Sequence, residues 1–203
     1  MAAPTAPPVL HVIAGPNGAG KTSFYELQLR RLTDAEFVNA DQLALARFGH
    51  PATTAAESEY GRRAAEARRE ALMESRTGFV MESTFSHPSK VDFVRDALAA
   101  GYRVILYHVN VRDPEHAVRR VHARRSEGGH GVPEDRIRAR YMRNQPLIRE
   151  AALAADRAFV FDNSRLGQPP RRLITFAGGR AVEVANDLPA WALALYGGDV
   201  GRV

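Results

Sequence analysis

The chain reads as an α/β protein built on a mostly parallel sheet, and three observations carry that reading. The first is GPNGAGKT at Gly15–Thr22, a complete G-x-x-x-x-G-K-[ST] phosphate loop. The second is its setting. The apolar run Val9–Ala14 precedes the loop as a buried strand, and a helical segment follows it. The third is the alternation of short apolar runs with amphipathic segments along the rest of the chain, the pattern of parallel strands joined through helices.

The elements follow in order. Strands are expected at 9–14, 36–39, 78–82, 103–109 and 158–162, a roughly five-stranded parallel sheet. Helices are expected at 20–31, 41–47, 54–75, 89–100, 114–126, 133–144 and 147–155. Asp113-Pro114-Glu115 places an N-cap acid before a first-turn proline. Val132-Pro133-Glu134-Asp135 opens the next helix with acids at the positive end of its dipole. Tyr60, Ala64, Ala67 and Ala71 recur at i, i+4, i+7 and i+11, which predicts one buried face for helix 54–75. Pro146 is expected to break or kink the segment between the last two helices. Leu173–Phe176 and Ala181–Val184 flank Gly178-Gly179 as a C-terminal β-hairpin, with a short helix near 189–196.

Composition narrows the class. The chain has 203 residues, 45% apolar and 25% charged, as expected of one globular domain spanning 9–203. Residues 1–8 read as a disordered lead-in rather than a signal peptide. No cysteine is present, which excludes disulfides and thiol catalysis. No run approaches the roughly 18 apolar residues a membrane span needs, so the expected location is cytoplasmic. The net charge of +5 is moderate, and arginines alternate with acids, as in Arg62-Arg63…Glu66…Arg68-Arg69-Glu70. That interleaving argues against a nucleic-acid surface and suits a protein that grips polyphosphates.

The chemistry begins at the loop. Gly15, Pro16, Asn17, Gly18, Ala19, Gly20, Lys21, Thr22 and Ser23 form the nucleotide-binding set. Glycines let backbone N–H groups turn inward toward an anion, and the following helix N-terminus adds partial positive charge. Lys21 can reach the β- and γ-phosphates of ATP, and the Thr22 hydroxyl can ligate Mg²⁺. Lysine occurs only at Lys21 and Lys90 among 28 basic residues, so its placement inside the loop is not an accident of composition.

Ligands of open α/β sheets sit beyond the carboxyl ends of the strands, so the polar residues there are the further candidates. Asp41, in Phe37-Val38-Asn39-Ala40-Asp41, reads either as a general base for an acceptor hydroxyl or as the N-cap of the next helix. Glu82 and Thr84, in Met81–Thr84, read as a site for substrate or for Mg²⁺ through water. The alternative is a polar turn in which Ser83, Thr84 or Ser86 caps the next helix. Arg119, Arg120, Arg124 and Arg125 precede Glu127-Gly128-Gly129-His130-Gly131, with Arg136, Arg138 and Arg140 beyond; 119–141 reads as a lid-like segment that brings arginines onto phosphate. Asn163, in Phe161–Ser164, reads as an adenine contact or as part of a plain turn. The histidines show no metal-ligand spacing.

GPNGAGKTS (15–23), FVNAD (37–41), MESTFS (81–86), RVHAR…EGGHGVPEDRIRARY (120–141) and FDNS (161–164), in that order, resemble the zeta-toxin family of P-loop kinases. More narrowly they resemble its branch labelled predicted ABC-type ATPases. The resemblance implies a P-loop kinase fold, ATP as phosphoryl donor, Mg²⁺, and a small-molecule hydroxyl as acceptor. UDP-N-acetylglucosamine is the acceptor of the best-known members, and a protein antitoxin is their partner. It implies Lys21 on the phosphates, Thr22 on the metal, Asp41 as catalytic base, Glu82 and Thr84 at the substrate or metal, and Arg120 on phosphate. Arg124 and Arg140 match recurrent basic positions. His130 stands near a second phosphate-binding arginine of the toxins, so His130, Arg124 or Arg140 supplies that contact. The alternatives are another acceptor (a nucleoside, NAD or a polynucleotide end) or a regulatory ATPase without one. The ABC label itself finds no support, since the chain has no LSGGQ-like signature and no apolar strand ending in Asp-Glu.

Overall fold

The computed structural model describes residues 6–126 and 133–201, the side chains of 124–126 excepted. The glycine-rich loop at 128–131 with His130, the Arg124 side chain and the first five residues of the lead-in lie outside the described residues.

The elements run β1 (Val9–Ala14), α1 (Lys21–Phe24) continuing into a π-helical turn (Tyr25–Leu29), β2 (Glu36–Val38), α2 (Ala40–Phe48) and α3 (Ala55–Glu74). Then come β3 (Phe79–Ser83), α4 (Ser89–Ala99), β4 (Arg103–Asn110), α5 (Pro114–Ser126) and α6 (Glu134–Ala154). The chain closes with β5 (Arg157–Asp162), β6 (Arg171–Ala177), β7 (Arg180–Val184) and α7 (Ala190–Val200).

All strands join one seven-stranded sheet in the order β2-β3-β1-β4-β5-β6-β7. The five expected strands are parallel. The hairpin pairs antiparallel with β5 and so continues the sheet, which therefore has seven strands rather than five. Pairing β5 in this way covers backbone donors and acceptors that an edge strand would leave open. Central strands of a parallel sheet are buried on both faces. Accordingly Leu10, Val12, Ile13 and Ala14 of β1 and Val104, Leu106 and Val109 of β4 are fully buried. One face packs under α3, α4, α6 and α7 through Ala65, Leu72, Val94, Ile148, Ala151 and Tyr196. The other packs under α1 and the π turn through Phe24, Tyr25 and Leu29. β1 lies between β3 and β4, so the strand order reverses at β1 and a crevice opens at its carboxyl end.

Three expectations need correction. The buried face of α3 is Gly61, Ala65, Arg69 and Leu72, shifted by one or two residues from the expected stripe, and Tyr60 is exposed. The cause is the close approach of α2: a Cβ at Gly61 would lie 2.3 Å from the Ala40 carbonyl oxygen, so only the glycine face fits. Pro146 does not divide the last helical segment, because α6 is continuous from Glu134 to Ala154. Pro146 faces solvent, where water can take the carbonyl it leaves unpaired, while Ile137, Tyr141, Ile148 and Ala151 dock the turns on either side. The helix after the loop is short. Its π turn closes with Arg30 N–H donating to the Tyr25 carbonyl at 2.8 Å, and Tyr25 stacks on Phe37 with centroids 3.8 Å apart. No helix among the described residues is long and apolar enough to cross a membrane.

Candidate active site

The loop Gly15–Thr22 leaves β1 at the reversal of strand order. Gly18 has φ +79°, and a Cβ there would lie 2.5 Å from the Ala117 carbonyl oxygen, so the loop presses directly on α5. The outer side of Gly20 faces Asn163 and Arg120: an added Cβ would lie 2.5 Å from Asn163 Nδ2 and 3.9 Å from Arg120 Nη1. Asn163 Nδ2 donates to the Ala19 carbonyl at 2.8 Å, and its backbone N–H donates to the Asn110 carbonyl at 2.7 Å. Asn163 thus fastens the loop to the ends of β4 and β5.

Glu82 is the centre of the cluster. It is the last residue but one of β3, the neighbour of β1, and its side chain is 14% exposed. Its Oε2 accepts from Thr22 Oγ1 at 2.8 Å and from Asn39 Nδ2 at 2.9 Å. Its Oε1 lies 3.7 Å from Lys21 Nζ, which also donates to the Pro16 carbonyl at 3.2 Å. A hydroxyl that donates to Glu82 keeps its oxygen lone pairs for a cation. The donor set therefore fits Mg²⁺ held by Thr22 and by substrate phosphate, with Glu82 behind Thr22 or reaching the metal through water. No cluster of three histidines or acids placed to hold a metal ion occurs among the described residues.

Asn39 performs two tasks. Its Oδ1 accepts from Gln42 N–H at 3.0 Å and so N-caps α2, while its Nδ2 holds Glu82. Asp41 is therefore not the cap. It sits exposed in the first turn of α2 and makes no hydrogen bond or ion pair among the described residues, which leaves its carboxylate available to an acceptor.

The loop after Glu82 is held under strain. Phe85 is fully buried at φ +53°, a left-handed conformation that costs a non-glycine residue about 1–2 kcal/mol. Ser83 Oγ accepts from Phe85 N–H at 3.0 Å, and the Thr84 carbonyl accepts from Asn144 Nδ2 of α6. α4 starts behind Pro88 without a side-chain cap, so neither Ser83, Thr84 nor Ser86 caps it.

Of the proposed site arginines, Arg120 and Arg140 have described side chains, and Arg120 is placed against the phosphate loop. Arg120 is partly buried beside Gly20, with its Nε unpartnered among the described residues. Burial pulls its pKa down, opposed by the charge of Asp162. Arg140 of α6 is half-buried, and burial with neighbouring Arg136 and Arg143 lowers its pKa. Arg138 is committed to the surface, bonded to Glu115 at 2.6 Å and to Glu134 at 2.8 Å. Reasoning from sequence missed the roles of Asn39 and Asn144. Asn39 stood inside a quoted motif. Asn144 is a polar residue at a core position of α6, between Tyr141 and Ile148, and that misfit was the available signal.

A phosphate loop at the strand reversal of a mostly parallel sheet, with a carboxylate from the neighbouring strand behind it, defines the P-loop kinase fold. The chain belongs to the zeta toxin family, whose model matches residues 2–166. Solved structures share the fold. A chain of the AvrRxo1-ORF1:AvrRxo1-ORF2 complex with ATP is 17% identical, with TM-score 0.69 over 96% of this chain and 64% of that one. One from the PezAT chromosomal toxin–antitoxin system of Streptococcus pneumoniae is 15% identical, with TM-score 0.54 over 78% and 69%. Shikimate kinase from Bacteroides thetaiotaomicron is 19% identical, with TM-score 0.52 over 79% and 89%. The chain spans 61–64% of the AvrRxo1 chains it matches. No curated protein matches it.

Proposed function

We propose that this protein is an ATP- and Mg²⁺-dependent phosphotransferase that acts on a small-molecule hydroxyl, with UDP-N-acetylglucosamine as the leading acceptor. One observation carries the reading: the single carboxylate of Glu82 joins Thr22, Asn39 and Lys21, tying the phosphate loop to the strand end that leads to Asp41. Asp41, exposed in the first turn of α2 and unbonded among the described residues, is the carboxylate this arrangement leaves for an acceptor hydroxyl.

In this reading Lys21 and the loop N–H groups hold the β- and γ-phosphates. Thr22 would hold Mg²⁺, which when bound would supply charge neutralisation on the phosphate oxygens. Asp41 accepts the proton of the acceptor hydroxyl as its oxygen bonds to the γ-phosphorus. The bond from that phosphorus to the bridging oxygen breaks, and ADP leaves with the electron pair. Arg120, placed beside Gly20, offers its guanidinium to the charge that develops in transfer. Arg124, Arg140 or His130 supplies the further phosphate contact. The Glu82–Thr84 segment orients the acceptor, with Asn144 holding it from α6. A protein antitoxin is proposed as partner on family grounds, since the similar PezAT structure is of a toxin–antitoxin system and the AvrRxo1 structure is of a two-protein complex.

The test is to incubate the protein with Mg-ATP and a panel of acceptors and to resolve products by mass spectrometry. UDP-N-acetylglucosamine, nucleosides, NAD and 5′-hydroxyl oligonucleotides form the panel. A mono-phosphorylated UDP-N-acetylglucosamine is the expected product. Phosphorylation of another member reassigns the acceptor. ATP hydrolysis with no transfer to any member leaves a nucleotide-dependent regulatory module instead.

A further inference from the structure

β4 and β5 are helix-covered along one face and open along part of the other. On the covered face α6 packs on Leu106, Ala158 and Val160 through Ile148 and Ala151, and α7 joins the same layer through Trp191 and Tyr196. On the other face α1 and the π turn lie over Ile13 of β1 and Val80 of β3, and Phe24 meets Tyr107 and Phe161 with ring centroids 5.6 Å and 4.9 Å away. Beyond Phe24 an open groove of about 410 Å³ crosses β4 and β5 as far as β6. Its floor is Ile105, Tyr107, Phe159 and Phe161, which alternate along paired strands and so share a face. Ile105, Phe159 and Phe161 are only half-buried, and Leu32 at the side of the groove is 78% exposed. Parallel strand pairs occur almost only with both faces covered, and an open apolar face of this kind marks an interaction surface.

Charge narrows what can cover it. The charged residues that line the groove are Arg103, Arg157 and Arg172, and no acid lines it. Arg172 pairs with Glu183 at 3.0 Å. The side chains of Arg103 and Arg157 make no hydrogen bond or ion pair among the described residues. A symmetric second copy of the chain would set this arginine rim against itself. A strand cannot add here, because β4, β5 and β6 each have a neighbour on both sides. A helix is the element that covers parallel strands in this class of fold. From Arg157 to Phe161 the floor runs about 13 Å at about 3.3 Å per residue. A helix of about three turns, about 16 Å long, spans it.

We propose that this groove is a docking surface for one amphipathic α-helix of a protein partner, with an apolar stripe seated on Ile105, Phe159 and Phe161 and acidic side chains set against Arg103 and Arg157. The surface is separate from the nucleotide crevice. Lys21 and Thr22 at the start of α1 serve the crevice, whereas Phe24 at its end lines the groove, so helix and ATP are held together without competing. The proposal does not rest on the phosphotransferase reading.

The probe is a fluorescein-labelled, side-chain-stapled helix of about 15 residues, with leucines at i, i+3, i+4 and i+7 and glutamates on the flanking positions. A second probe has lysine at every glutamate. Fluorescence anisotropy is measured with the full chain, with Arg103→Glu/Arg157→Glu and with Leu32→Asp, all three sites of change being exposed. The wild type is expected to bind the acidic helix about tenfold or more tightly than the basic one, and the double arginine variant to reverse that order. Leu32→Asp weakens both probes, and a saturating ATP analogue displaces neither. Calorimetric affinity for the ATP analogue stays the same in all three proteins, which shows that the variants are folded. No binding of the acidic helix to the wild type, equal binding of the two helices, or native affinity in the double arginine variant overturns the proposal. Displacement of the helix by the ATP analogue overturns it as well, by placing the probe in the crevice. A dimer in analytical ultracentrifugation that Leu32→Asp dissociates gives the groove to a second copy of the chain instead.

Discussion

Replacing Glu82 by glutamine removes one charge from the centre of the site and leaves its shape in place. In the native chain that carboxylate accepts from Thr22 and Asn39 and lies 3.7 Å from Lys21 Nζ. Glutamine keeps one oxygen for one of the two donors, and its own NH₂ opposes the other. The loss is one hydrogen bond to a charged acceptor in a mostly buried setting, about 2 kcal/mol. For a chain of this size that lowers Tm by about 4–8 °C. The functional loss is separate. A group that orients a metal ligand from behind typically changes metal affinity about 10–100-fold. Glu82→Gln is therefore expected to raise the Mg²⁺ concentration for half-maximal turnover by about tenfold or more, with metal-free ATP affinity little altered. Thermal denaturation and a Mg²⁺ titration of turnover at saturating ATP measure the two effects. An unchanged Tm together with an unchanged Mg²⁺ requirement would refute the role given to Glu82.

The remaining predictions concern the loop, α6 and a buried histidine. Gly18→Ala places a Cβ 2.5 Å from the Ala117 carbonyl oxygen at φ +79°, so it strains the loop by about 1–2 kcal/mol and displaces α5 with Arg120. ATP affinity by calorimetry should fall about tenfold or more, and native affinity contradicts the packing argument. Pro146→Ala restores a helical hydrogen bond on the solvent side of α6 and should raise stability by about 1–3 kcal/mol, read as a higher Tm. A lower Tm would mean that the proline shapes the helix in a way its neighbours require. His108 is fully buried, and burial pushes its pKa down to about 3 from 6.5. Between those values the unfolded chain binds the proton and the folded one does not. Stability is thus intact above about pH 6.5 and falls by up to about 1.4 kcal/mol per pH unit below it. His108→Gln should flatten denaturation measured between pH 7 and 5, leaving the smaller slope due to half-buried His11 and buried His116.

Much of this was legible in the chain. The five parallel strands are short apolar runs bounded by glycines and polar residues, and burial on both faces makes such runs visible without partners. The loop was legible because its glycines and lysine answer to local geometry and to phosphate. The buried face of α3 was not, because alanine stripes on adjacent faces are equivalent until α2 arrives and selects Gly61. Pro146 misled for a related reason: local propensity forbids it, while docking of the turns on both sides overrides the penalty. The site showed the same division. Lys21, Thr22 and Glu82 could be proposed from motifs, whereas the bonds from Asn39 to Glu82 and from Asn144 to the Thr84 carbonyl join residues distant in sequence and exist only once the sheet has formed.

The central claim is that Asp41 serves transfer to an acceptor and takes no part in holding ATP. Because Asn39 caps α2 and Asp41 is exposed, Asp41→Asn should leave the fold within about 0.5 kcal/mol of native stability. The decisive measurement pairs calorimetric ATP affinity with single-turnover phosphoryl transfer to the acceptor identified by mass spectrometry, in wild type and in Asp41→Asn. The account predicts equal ATP affinity and a loss of transfer of about 100-fold or more in the variant. Transfer at the native rate in Asp41→Asn would contradict it.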